Sequence, residues 1–145
     1  MVRPNPYIIL TMLLLYCGSL VPAQRMTVVA DVANIRSGPG ISYDILWKVG
    51  KYHPLMVLKE SGVWCYFRDF EGDEGWIHRS LLGNTAAIIT INEKCNIRSG
   101  PGGGFNILFT VEKGIPFKVM KRQGQWIHIR HADGDQGWIH KSLVW

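Results

Sequence analysis

Beyond residue 20 this 145-residue sequence has no apolar run near the roughly 20 residues that a bilayer-crossing helix needs, so the later chain has no membrane span of that kind. It has no cluster of lysine and arginine, which excludes the usual footprint of a nucleic-acid surface. Its five histidines and three cysteines show none of the close pairing that zinc sites use, and no metal or other cofactor is assigned. No long stretch carries helical spacing, which leaves an all-β chain.

What is present begins with a leader. Residues 1–23 hold one charge, Arg3, then an apolar stretch over 7–20 and a small-residue exit at Val21-Pro22-Ala23. This order predicts a secretory signal peptide cleaved after Ala23 and an exported, periplasmic or extracellular protein. Cys17 follows the bulky Tyr16, which argues against lipidation. Without the leader, 15 basic and 11 acidic residues remain, a mild net +4 that gives at most a weak, salt-sensitive attraction to polyanions.

The dominant feature is a duplication. Asn34-Ile35-Arg36-Ser37-Gly38-Pro39-Gly40 returns as Asn96-Ile97-Arg98-Ser99-Gly100-Pro101-Gly102, and Gly75-Trp76-Ile77-His78 returns as Gly137-Trp138-Ile139-His140. Both offsets are 62 residues (96 − 34 and 137 − 75), so no insertion separates the two anchors. The predicted units are 24–82 and 87–145, joined by the short turn-forming linker Gly83-Asn84-Thr85-Ala86. Alternation at Ile45, Trp47 and Val49, matched by Ile107, Phe109 and Val111, predicts half-buried strands. Glycines at 38, 40, 62 and 72, matched at 100, 102, 124 and 134, are expected to turn the chain through positive φ.

Asn-Ile-Arg-Ser-Gly-Pro-Gly, an apolar strand after Tyr43 or Phe105, a Gly-x-Trp strand at Gly62/Trp64 and Gly124/Trp126, and Gly-Asp-x-Gly-Trp-Ile-His occur twice in the same order. This set resembles the bacterial SH3 domain, in the variant common in exported alphaproteobacterial proteins. The resemblance implies two tandem SH3-like barrels, each five-stranded and partly open, with a short 3₁₀ turn at Arg79-Ser80-Leu81 and Lys141-Ser142-Leu143. It also implies a binding scaffold whose relatives attach to peptidoglycan peptides or to proteins; fold alone does not choose between them.

Matching the copies separates core from surface. Cys65 and Phe67 are matched by Ile127 and Ile129, so that face of the strand is core, and Ile77 and Ile139 are buried by the same logic. The opposite face then offers Trp64, Tyr66 and Trp76, with Trp126, His128 and Trp138 in the second copy, as an aromatic ledge suited to an extended peptide or sugar. Arg36, Tyr43, Arg98 and Phe105 complete the candidate ligand-binding set. Two readings stand: a non-catalytic module that binds cell-wall peptide or glycan or an envelope protein, or an assembly protein whose aromatic faces are buried between modules or in a homo-oligomer.

Catalysis is not expected. Cys65 and Cys95 stand where the sister copy has Ile127 and Ala33, so buried free thiols are one account and a disulfide between them the other. Neither has a histidine partner in pattern for thiolate chemistry. The acids around Gly72 and Gly134 belong to a solvated hairpin tip, not to a pair opposed across a cleft. His78 and His140 share one structural place beside the closing turn.

Overall fold

The computed structural model describes residues 19–145; most of the expected leader, Cys17 included, lies outside them. The first body comprises β1 (Ser19–Val28), β2 (Val32–Arg36), β3 (Ile45–Gly50), β4 (Pro54–Ser61), β5 (Trp64–Arg68), β6 (Glu74–His78) and β7 (Leu82–Gly83). The second comprises β8 (Ala87–Ile89), β9 (Cys95–Arg98), β10 (Ile107–Val111), β11 (Pro116–Gln123), β12 (Trp126–Arg130) and β13 (Gln136–His140). The sheets run β3-β2-β6-β5-β4-β1-β7 and β10-β9-β13-β12-β11-β8, the same order once β1 is matched to β8. The described residues thus form two tandem SH3-like β units, and 3₁₀ turns occupy Arg79–Leu81 and Lys141–Leu143.

Each unit closes over its own core. Ile35, Leu55, Phe67 and Ile77 anchor the first cluster; Ile97, Phe117, Ile129 and Ile139 anchor the second. Fully burying each such side chain contributes roughly 1.5–3 kcal/mol. Alternation holds for Trp47 and Val49, which pack on the core, but Ile45 and Ile107 are about half exposed, contrary to the sequence pattern. The cause is a β-bulge: Ile35 faces Trp47 and Arg36 faces Ile45, so Leu46 is the extra residue, and Leu108 repeats this between Phe109 and Ile107.

The glycines also divide differently from the expectation. Gly62, Gly72, Gly124 and Gly134 have positive φ, as does Gly114, whereas Gly38, Gly40, Gly100 and Gly102 do not. Gly38 and Gly100 are required for space. A Cβ there would stand 2.3 Å from the Tyr43 ring and 2.4 Å from the Phe105 ring.

Strand β1 straddles the expected cleavage point. Ser19 and Leu20 pair with Glu60 and Lys59, the register breaks, and pairing resumes from Gln24 opposite Val57. Between the units Gly83 pairs with Thr27, the Thr27 hydroxyl donates to the Thr85 carbonyl at 2.6 Å, and the Val119 N–H donates to the Ala86 carbonyl at 2.8 Å. The connection is therefore tied to both barrels.

Candidate functional site

The antiparallel pairing of β5 with β6 sets Trp64 opposite His78, Tyr66 opposite Trp76 and Arg68 opposite Glu74. Trp64 and His78 meet edge to face with centroids 5.2 Å apart, and the Tyr66 and Trp76 rings are 5.3 Å apart. The second barrel repeats the first pair as Trp126 and His140 at 5.2 Å and replaces the other by stacked His128 and Trp138 at 5.1 Å.

One cleft opens beside this row. Val32, Asn34, Arg36, Ile41, Trp64, His78, Ser80 and Leu81 line about 380 Å³ of space in the first barrel. His78 Nδ1 accepts from the Ser80 backbone N–H at 3.2 Å and lies 2.7 Å from the Ser80 hydroxyl, which caps the 3₁₀ turn. In the neutral ring that bond puts the proton on Nε2, a donor beside the Trp64 ring. His140 and Ser142 repeat the arrangement with the same distances.

Not every ledge residue is offered to a partner. Trp76 is 5% exposed, where the sequence placed it on the open face. The Tyr66 ring lies against it; Trp138, beside the smaller His128, is only half-buried. The Tyr66 hydroxyl donates to the Glu74 carboxylate, which also takes Arg68 at 2.7 Å. Burial, then the Glu74 carboxylate, pushes the Tyr66 phenol up to about 12.

The arginines brace a loop. Arg36 Nη1 donates to the carbonyls of Ile41 at 3.1 Å and Tyr43 at 3.0 Å, and Arg98 Nη1 donates to that of Phe105 at 3.0 Å. These bonds fold the segment after Ser-Gly-Pro-Gly back so that Tyr43 packs on Gly38 and the half-exposed Phe105 on Gly100. Arg36 nonetheless lines the cleft. Ile41, His78 and Ser80 were absent from the sequence-derived set, although the histidine's duplication was a signal that could have added it.

The disulfide alternative is corrected. Cys65 and Cys95 are both free, and each is sealed in a different barrel's core, so their thiols do not meet. Burial raises both thiol pKa values, which keeps the sulfurs protonated and poor as nucleophiles.

Residues 29–83 and 92–145 each match the model of the bacterial SH3 domain. The chain is 27% identical over 157 residues to a Bacillus subtilis protein named "Putative N-acetylmuramoyl-L-alanine amidase YrvJ", covering 95% of this chain and 30% of that one. It is 38% identical over 52 residues to the "Probable cell wall amidase LytH" of Staphylococcus epidermidis, covering 35% of this chain and 18% of that one. The chain thus spans less than a third of either relative. A solved NlpC/P60 family protein from Bacillus cereus aligns over 84% of this chain and 56% of its own, at 10% identity and a TM-score of 0.40. With both of its matched segments lying on the two barrels, the chain belongs to the bacterial SH3 domain family.

Proposed function

We propose that this chain is an exported, non-catalytic binding module that holds cell-wall peptidoglycan through the cleft beside Trp64, with the repeated Trp126–His140 pair as the corresponding feature of the second barrel. The carrying observation is the geometry of that cleft: an aromatic wall, a histidine whose ring is held at Nδ1 by Ser80, and an arginine whose position is set by two backbone carbonyls. Such a surface provides apolar area with few, well-placed polar groups, as recognition of a sugar or a short peptide requires. Similarity to two proteins named as cell-wall amidases supports the ligand class, because the shared part is a minor fraction of each relative, 30% of one and 18% of the other. The buried, protonated thiols support a role without nucleophilic catalysis.

Purified sacculi sedimented with the protein test this reading. The parent is expected to pellet with the sacculi. Replacing Trp64→Ala together with Trp126→Ala is expected to cut the bound fraction about tenfold, as for loss of two aromatic anchors. Undiminished binding by the folded double variant rejects the ledge as the site, and binding by neither protein rejects the ligand.

A further inference from the structure

The acidic residues are unevenly placed. Of eleven in the sequence, eight line two clefts related by the 62-residue repeat: Asp31, Asp69, Glu71 and Asp73 in the first barrel, and Glu93, Glu112, Asp133 and Asp135 in the second. Only three basic side chains, Lys48, Lys51 and Lys94, line the same space. A chain with an excess of positive charge has therefore gathered most of its negative charge into two hollows of about 660 and 670 Å³. Asp69 and Asp133 shape the hairpin tips by accepting backbone N–H groups, but Asp31, Glu71, Asp73, Glu93, Glu112 and Asp135 enter no ion pair or side-chain hydrogen bond among the described residues.

Three further observations specify an occupant. Each cleft has an apolar, partly aromatic wall, with Trp47, Val49 and Phe70 in one and Phe109, Val111 and Phe117 in the other. His53 also lines the first cleft, only 8% exposed, and its Nε2 has no hydrogen-bond partner among the described residues. A buried polar atom without a partner is unusual, and a polar group of a bound chain can supply one to His53. Finally, β3 and β10 bond to a strand on one side only, and Trp47, Lys48, Val49 and Gly50, like Phe109, Thr110 and Val111, border the clefts. A free sheet edge accepts an extended chain through its unpaired backbone groups.

We infer that these twin clefts are docking sites for a lysine-bearing peptide segment in extended conformation. Its backbone adds to the edge of β3 or β10, and its ammonium groups settle among the carboxylates. A bare metal ion does not fit, because among the described residues no three His, Cys, Asp or Glu side chains converge closely enough to hold one. His131 lines both clefts, so they adjoin across the seam between the barrels and one long segment can use both. The inference is independent of the peptidoglycan reading, and its clefts share no lining residue with the one beside Trp64.

The probe is fluorescein-labelled, end-blocked tetralysine, titrated into the purified chain at low salt and followed by anisotropy. Expected are saturable binding, its loss in about 0.5 M salt, no binding of the Nε-acetylated peptide, and amide shifts in β3 and β10. The six-site variant Asp31→Asn, Glu71→Gln, Asp73→Asn, Glu93→Gln, Glu112→Gln and Asp135→Asn is expected to bind about tenfold more weakly, each exposed charge contributing a part. The triple variant of the second barrel alone, checked for fold by circular dichroism, serves if the six-site protein does not fold. The inference is overturned if tetralysine does not saturate, if the folded variants bind it undiminished, or if spermidine, which has no peptide backbone, binds as tightly without shifting the edge strands. The Trp64→Ala/Trp126→Ala protein is expected to bind tetralysine as the parent does, which separates this outcome from the sacculus result.

Discussion

His53 occupies the position of Ile115 in the second barrel: their carbonyls accept the N–H groups of Val28 and Thr90 at 3.0 and 3.1 Å. An imidazole thus fills a place where the sister copy has a hydrocarbon. Burial alone lowers its pKa to about 4 from 6.5. The folded state therefore favours the neutral ring, while the unfolded chain takes up a proton near pH 6.5. Stability from this residue is complete above that pH and is lost as pH falls toward 4, by about 2–3 kcal/mol at pH 4.5. Urea unfolding at pH 7 and pH 4.5 should show the parent losing that much more stability than His53→Ile, with the common carboxylate contribution cancelling in the comparison. Equal losses in the two proteins would mean that His53 is already solvated when folded.

Among the elements, the loop after Ser-Gly-Pro-Gly shows what a motif is for. The Ser37 N–H donates to the Asp44 carbonyl at 2.9 Å, Arg36 holds two carbonyls at the tip, and Tyr43 lies on Gly38; Ser99, Arg98, Phe105 and Gly100 rebuild the loop in the second barrel. A methyl at Gly38 would overlap the ring, so either the ring must rotate or the loop backbone that Arg36 holds must shift. Gly38→Ala should cost about 1–3 kcal/mol in chemical denaturation. Gly40→Ala, whose Cβ would lie 3.4 Å from the same ring, should cost under about 1 kcal/mol. A reversed order would show that the ring, not the backbone, gives way. The sequence made the strands, the repeat and the core faces of β5 and β6 legible, because matched side chains report burial directly, whereas both 3₁₀ turns were implied only by the family resemblance. It did not reveal the bulges at Leu46 and Leu108, since one extra residue shifts the alternation without changing composition. It also missed the burial of Trp76, which depends on a neighbouring ring, and the acidic clefts, whose carboxylates come from segments far apart in the chain.

At the scale of the whole molecule, one residue fastens the barrels. Arg25 Nη2 donates to the carbonyl of Ala87 at 3.0 Å and to that of Trp145 at 2.9 Å, and its guanidinium lies 4.2 Å from the centroid of the Trp145 ring. Burial and the nearby Arg122 lower its pKa, yet an arginine remains charged, so the contact persists across the working pH range. Arg25 lies two residues beyond the expected cleavage point and would survive removal of the leader. Because His131 reaches both acidic clefts, this clasp also sets whether they present one continuous surface. Backbone ¹⁵N relaxation tests it. In the parent, both barrels should tumble with one rotational correlation time. In Arg25→Ala the seam loses this clasp and keeps the linker bonds at Gly83, Thr85 and Ala86, so the two values should fall and separate while each core keeps its own dispersion of resonances. A variant whose barrels still tumble together would place the rigidity in those linker bonds, and Thr27→Val, which removes the hydroxyl bonded to Thr85, would then be the substitution that frees them.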